Sequence, residues 1–435
     1  MSKWKPSFYN INLKNEGYDV ESNTLNYNIF SNKFAEIPTD IDLDNPQKEL
    51  IDDRFVVPSD EDEAQKYAEN QKKNIEDDYP QIITLTLCTT LSCNYKCEYC
   101  FEHHKSNHSM DTELIADTIA YIKREIDRNL NLKTFGIKWF GGEPLLNIAA
   151  VEQISRFSID YCQERNIEYS AIIITNGYFY TREVSEKLKE LKITSVQIAI
   201  DGFAEEYARV RQISKDVLGK VLQNIENSVI PVLIRINVTR QNKDIVPILV
   251  REVSKLSSVK SGFSRIMIAR VKEYRTPITY GFTDAEWLEF RKCYEEFQDV
   301  IPQILERAYI MPCANIQKRH VVIGADGFLY RCDNHIGDTT KAIGTLKGGL
   351  YSDNIIDKQY VCSTINDECK ACMYLPICRG GQCRYEELLQ GKNCLLIKER
   401  FRQNMQNYLS YERIPITSKS KNNGSMLPTR KAHLL

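Results

Sequence analysis

From Gln81 onward the sequence alternates short apolar runs with amphipathic helical stretches, and this alternation limits the possible folds more than any other feature. The runs are Ile82 to Leu87, Phe135 to Phe140, Ser170 to Thr175, Val196 to Ile200, Val232 to Val238 and Phe263 to Ala269. Apolar strands separated by helices are the mark of βα units stacked around a parallel sheet. Between the first two runs Ile115, Ile119, Ile122 and Ile126 recur at helical spacing behind Asp111, a fitting N-cap, and Val184, Leu188 and Leu191 repeat the pattern. The expected fold is therefore α/β, a partial (β/α)6 TIM-like barrel over residues 81–275.

The flanks read differently. Residues 1–80 alternate strand-like pieces (Tyr9 to Leu13, Leu25 to Phe30, Phe34 to Ile37) with helix-prone stretches (Gln47 to Ile51, Asp60 to Lys73), which predicts a small N-terminal α/β module. Thr283 with Glu286 makes a capping box for a linker helix within 276–308, its stripe being Trp287, Phe290, Tyr294, Phe297, Ile301 and Ile304. Residues 309–394 are rich in Cys, Gly and hairpin signals such as Ala325-Asp326-Gly327-Phe328. Metal, more than a hydrophobic core, is expected to organise them. Residues 395–435 read as a helix and a polar tail, disordered after Ile414.

Composition narrows the partners. The 57 Lys and Arg against 59 Asp and Glu leave a net charge of -2, without the basic field that nucleic acid or an anionic membrane requires. The sequence MSKWKPSFYN has no apolar signal segment, and nowhere do 18 consecutive apolar residues occur, so a cytoplasmic location is expected. In a reducing compartment the 14 cysteines point to metal or redox chemistry rather than disulfides.

Directly after the first run stands Cys93-x3-Cys97-x2-Cys100, at the carboxyl end of a barrel strand, the face where barrel active sites sit. Three thiolates at this spacing hold three irons of a [4Fe-4S] cube and leave the fourth iron open to another molecule. The competing reading is a structural zinc site drawing on His103, His104 or His108, although zinc prefers four closed ligands. The three histidines otherwise read as solvated loop residues. With Tyr99 before the last cysteine, the motif resembles that of the radical S-adenosylmethionine (radical SAM) superfamily. The resemblance implies that the open iron chelates SAM. It also implies that one-electron reduction then yields methionine and a 5′-deoxyadenosyl radical, which takes a hydrogen from substrate.

Further motifs fall where this resemblance requires them. Gly141-Gly142-Glu143-Pro144 follows the second strand, its glycines permitting close approach and Glu143 able to accept a bond from the SAM ammonium. Asn176 ends the third strand and Asp201 the fourth; Arg211 matches the family arginine that pairs with the SAM carboxylate, and Asn237 fits a ribose contact. Taken singly, each polar residue could equally be a solvated turn or a helix cap. The chain departs from the family at Ala199, where a serine is common.

Seven more cysteines follow in order: Cys313, Cys332, Cys369, Cys372, Cys378, Cys383 and Cys394. With Gly327 before Cys332 they resemble the SPASM extension of radical SAM enzymes, except that four residues instead of three separate Cys378 from Cys383. The resemblance implies two auxiliary [4Fe-4S] clusters beside the SAM-binding one. Cys369, Cys372, Cys378 and Cys394 would hold one, and Cys313, Cys332 and Cys383 the other, with an iron left open for a substrate thiolate. A pair of structural zinc ribbons is the alternative. Cys88, Cys162, Cys293 and Cys362 read as ordinary buried thiols, Cys362 being the one able to swing towards the incomplete set.

Enzymes combining both modules mostly modify peptides or proteins. The resemblance thus implies a maturase of a ribosomally made precursor, forming a thioether or carbon-carbon crosslink, with flavodoxin or ferredoxin as electron donor. The N-terminal module could take up a leader peptide by strand addition or merely cap the barrel. Two alternatives stand: an anaerobic sulfatase-maturating enzyme, in which Asp333 would serve as general base, and a non-catalytic iron–sulfur electron carrier.

Overall fold

The computed structural model describes residues 3–412 apart from 101, 103–105, 273–279, 294–307, 310 and 382. In the N-terminal module β1 (Trp4–Pro6) is followed by the antiparallel meander β2 (Asn10–Asn12), β3 (Leu25–Asn28) and β4 (Lys33–Glu36), and β5 (Val56–Pro58) returns to pair with β1. Six strands then run in sequence order and all in parallel: β6 (Ile82–Cys88), β7 (Thr134–Phe140), β8 (Glu168–Thr175), β9 (Ile193–Ile200), β10 (Val232–Val238) and β11 (Arg265–Arg270). These are the six expected strands with their ends shifted by a few residues, and together they form the partial barrel.

Alternation along the strands divides the sheet into two faces. Ile83, Leu85, Leu87, Phe135, Ile137, Trp139, Ile173, Val196, Ile198, Ile234 and Ile236 are buried under the helices. Register places Thr86, Lys138, Ile172 and Ser195 side by side on the opposite, inner face. Asp111 caps its helix as expected, accepting a bond from Leu114 N (2.8 Å), and Thr181 caps the later one, accepting from Val184 N (3.3 Å).

The sheet does not stop at the barrel. β12 (Val322–Ile323) adds in parallel to β6, and β13 (Phe328–Tyr330), β14 (Gly344–Thr345) and β15 (Gly349–Leu350) extend it antiparallel to ten strands. Val321, Val322, Ile323, Leu329, Tyr330, Ile343 and Leu346 enter the same buried cluster as the barrel strands. The first half of the cysteine-rich region is thus organised by sheet and core, which corrects the expectation that metal would dominate there. The physical reason is plain: an open barrel leaves an unpaired β6 edge, and this hairpin segment covers it.

The N-terminal module likewise shares its core. Tyr9, Ile11, Leu13, Tyr27 and Ile29 pack with Ile377, Phe401 and Met405, the last two on the helix Cys394–Glu412. Helix Glu63–Glu76 adds a polar tie, Tyr67 Oη donating to Tyr309 O at 2.8 Å. The capping box at Thr283 and Glu286 is present, with Trp287 buried behind it. Tyr294, Phe297, Ile301 and Ile304 of the linker stripe, and the tail after Ile414, lie outside the described residues. Among the described residues no helix is long and apolar enough to cross a membrane.

Candidate functional site

The loop that leaves β6 carries Cys93, Cys97 and Cys100, and backbone bonds close it on itself and on its neighbours. Leu91 N donates to His108 O (2.8 Å) and Met110 N to Thr89 O (2.9 Å), while Lys96 N reaches Arg211 O (3.1 Å) and Glu98 N reaches Val210 O (3.0 Å). On the other side Gly142 N donates to Thr90 O (2.9 Å) and Glu143 N to Ser92 O (2.9 Å). A Cβ on Gly142 would stand 2.1 Å from Ser92 O, so only glycine lets the turn after β7 lie against the cysteine loop. Gly141 has φ +128° and equally little room, 2.6 Å from Thr90 O.

Glu143 is fully buried and pins this turn to the end of β8, accepting from Leu145 N (3.1 Å), Thr175 Oγ1 (2.6 Å) and Asn176 N (2.8 Å). Burial pushes its carboxyl upward, and those three donors oppose the shift. The Asn176 side chain turns to the cysteine loop and donates to Asn94 Oδ1 at 2.7 Å. A carboxylate has about four acceptor sites, so Glu143 keeps capacity for one further donor.

Tyr99 ties the loop to the opposite strands. Its hydroxyl donates to Asp201 Oδ1 (2.6 Å) and accepts from Asn237 Nδ2 (2.9 Å) and an Arg211 nitrogen (3.3 Å). Arg211 Nε donates to Asp201 Oδ2 at 2.6 Å and its other arm to Ala199 O at 3.0 Å. Asp201, Arg211 and Asn237 are 1%, 3% and 7% exposed, so this is a dry network in which a carboxylate and a guanidinium neutralise each other. Burial works against the Arg211 charge, but the Asp201 carboxylate beside it holds the guanidinium protonated. Each side chain expected from the motifs is therefore gathered around the loop. Two that the motifs did not mark also belong here: Asn94, and Asn242, whose amide donates to Asn237 O at 2.8 Å.

The later cysteines fall into two groups. Burial lifts the Cys332 thiol to about 12, with Asp333 and Cys383 adding to the rise, and Cys383 in turn feels Cys313. Burial lifts Cys378 to about 11, with Cys394 and Cys369 contributing. Cys372 N donates to Cys369 O at 3.1 Å within one turn. Gly380 and Gly381 stand at φ +78° and +143° between Cys378 and Cys383. Among the described residues no group of three or more His, Cys, Asp or Glu side chains is placed to hold a metal ion. His108 is exposed, while His103 and His104 lie outside the described residues.

The cysteines outside the motifs differ among themselves. Cys88 and Cys162 are fully buried and their thiols are pushed up by burial, so they are inert packing. Cys293 and Cys362 are only half-buried, a correction to the expectation of burial. Cys362 Sγ donates to Gln359 O at 3.3 Å, committed to its own turn. Asp333 joins the inner face of the barrel through a 2.5 Å ion pair with Lys138 Nζ. Beside this pair His320 Nε2, Asp333 Oδ1 and Thr86 Oγ1 are buried without a hydrogen-bond partner.

Comparison with known proteins agrees with this geometry. Residues 87–246 match the family model of the Radical SAM superfamily. The radical SAM cyclopropyl synthase TigE of Paramaledivibacter caminithermalis is 29% identical over 204 residues, 42% of this chain and 41% of that protein. A cysteine-type anaerobic sulfatase-maturating enzyme of Clostridium novyi is 25% identical over 335 residues, 68% of this chain and 86% of that protein. The crystal structure of Streptococcus suis SuiB bound to precursor peptide SuiA superposes with a TM-score of 0.52 at 16% identity, covering 82% of this chain and 81% of that one. The chain spans about two fifths of the length of the first curated relatives it matches. Over residues 87–246, then, this chain is similar to the radical SAM superfamily, on a partial barrel that a cysteine-rich C-terminal region continues.

Proposed function

We propose that the chain is a radical SAM maturase acting on a peptide or protein, and that it forms a thioether or carbon-carbon crosslink in a ribosomally made precursor. The observation that carries this reading is the docking of the Cys93–Cys97–Cys100 loop against Gly142 and Glu143 on one side and the Tyr99–Asp201–Arg211–Asn237 network on the other. When bound there, an iron–sulfur cluster supplies the electron that cleaves SAM. The chain's own residues do the rest: three partly exposed thiols offer ligands, Glu143 keeps one acceptor position for the amino end of SAM, and Arg211, the residue assigned to its carboxylate end, is held in place by Asp201. Tyr99 holds the loop to the network through its hydroxyl. Cys313, Cys332 and Cys383 form one auxiliary ligand set and Cys369, Cys372, Cys378 and Cys394 the other, with flavodoxin or ferredoxin as reductant. A peptide substrate draws support from the precursor peptide bound to SuiB.

Anaerobic protein incubated with SAM and dithionite should release 5′-deoxyadenosine, and the C93A/C97A/C100A variant should release none. Equal release by both would refute the reading, and no release from the wild type would favour a simple electron carrier. Mass spectrometry of candidate precursor peptides then identifies the product. The second reading, formylglycine formation on a sulfatase, is favoured by Asp333 on the inner face and by the Clostridium novyi relative. A sulfatase peptide changed in mass by oxidation at its target Cys or Ser would select it.

A further inference from the structure

The sulfur of Cys332 is the most heavily hydrogen-bonded of the later cysteines among the described residues. Asn315 Nδ2 donates to it at 3.4 Å and Asn334 Nδ2 at 3.6 Å. The buried Tyr360 hydroxyl lies beside the same sulfur and stands 3.4 Å from His335 Nε2. A thiol packed only for its bulk needs no such company, because S–H is a weak donor and sulfur a weak acceptor. A thiolate bound to iron does need it. Reduction of an iron–sulfur centre adds negative charge that spreads onto its sulfurs, and N–H or O–H donors aimed at them stabilise the reduced state. Cys332 is 5% exposed, so water does not compete for that charge. In the other set Lys392 Nζ lies 3.5 Å from Cys369 Sγ in an exposed pair, where solvent and salt screen the effect, and the donors to Cys378 are the backbone amides of Gly380 and Gly381, which side-chain variants at Asn315, Asn334 and Tyr360 leave in place.

We propose that Asn315, Asn334 and Tyr360 raise the reduction potential of the centre held by Cys313, Cys332 and Cys383, and so bias it towards taking up an electron. This rests on the reading of the C-terminal region as a carrier of auxiliary clusters. The three are positioning residues for the electronics of one sulfur and contact no substrate. The effect belongs to this chain's own side chains, since Asn315 and Asn334 come from the turns after Cys313 and Cys332, and Tyr360 from the end of helix Ile355–Tyr360.

The test is a redox titration followed by electron paramagnetic resonance on the reconstituted full chain, in wild type, N315A/N334A and Y360F. Running the same variants in the C93A/C97A/C100A background isolates the auxiliary signals. The expected result is a negative shift of one auxiliary midpoint in both variants, larger in the double one, while the other auxiliary midpoint and the iron content stay put. An unmoved midpoint at full iron content overturns the proposal, as does an equal shift of all centres. Y360F preserves the ring and its packing, so it remains informative should N315A/N334A fail to fold. If the C93A/C97A/C100A protein binds no iron, the failure lies with the reading of the C-terminal region, and the proposal falls with it.

Discussion

At the scale of single residues, Tyr99 is the junction on which the loop depends. Its hydroxyl is shared by Asp201, Asn237 and Arg211, all buried, so Tyr99→Phe leaves polar groups unsatisfied at a cost of about 1–3 kcal/mol. The ring still fills its place. The expected outcome is a cluster-loaded protein that binds SAM several-fold more weakly, read from the change in its resonance spectrum as SAM is titrated in. Lys138 makes a second case. Lys138→Met removes the cation that holds Asp333 on the inner face, and the pair is about one fifth exposed on each side. Uncoupled release of 5′-deoxyadenosine should persist, while product formed per deoxyadenosine drops severalfold, as measured by quantitative mass spectrometry. Tyr99, Glu143 and Arg211 were legible in the sequence because each stands in a motif with fixed spacing. Asn94, Lys138 and His320 were not, since their importance comes from partners at least 82 residues away.

At the scale of elements, the six strands were legible because each is a run of buried β-branched or aromatic residues long enough to show its period. β12 escaped for the opposite reason. Two strand residues, Val322 and Ile323, carry no period, and the Cys- and Gly-rich sequence around them hides a segment whose stability comes from the β6 edge. The turn after β7 was legible as glycine-rich, but its purpose was not. Gly142 exists so that two backbones can touch, Ser92 O lying 2.1 Å from where a Cβ would stand. Contact that close with a carbonyl cannot be relieved by a side-chain rotation. Gly142→Ala should therefore push the cysteine loop off the turn, abolishing the cluster held by Cys93, Cys97 and Cys100 while the auxiliary ones remain. On the proposed complement of three four-iron centres, iron content and visible absorption after reconstitution would fall by about one third.

At the scale of the whole molecule, three regions that read as separate in the sequence share two cores, and their seams set the conditions under which the protein holds together. One seam runs where the segment leading into β12 lies along β6. There His320 is 3% exposed, and its Nδ1 faces the carbonyl oxygen of Thr84, so that nitrogen carries the proton and Nε2 is left as a lone pair. Burial, reinforced by the neighbouring Lys138 cation, depresses the His320 pKa to about 4. An unfolded chain would titrate this histidine near 6.5, so between those values the unfolded state binds more protons than the folded one. Stability from this group is thus complete above about pH 6.5 and is lost as pH falls towards 4, in an amount on the order of 3 kcal/mol. His320→Asn keeps a donor for Thr84 O and removes the titration. Its melting temperature should fall less steeply between pH 7 and pH 5 than that of the wild type, with other acid-labile groups common to both. Parallel curves from differential scanning calorimetry would place the acid sensitivity elsewhere and leave the seam between barrel and C-terminal region indifferent to protons.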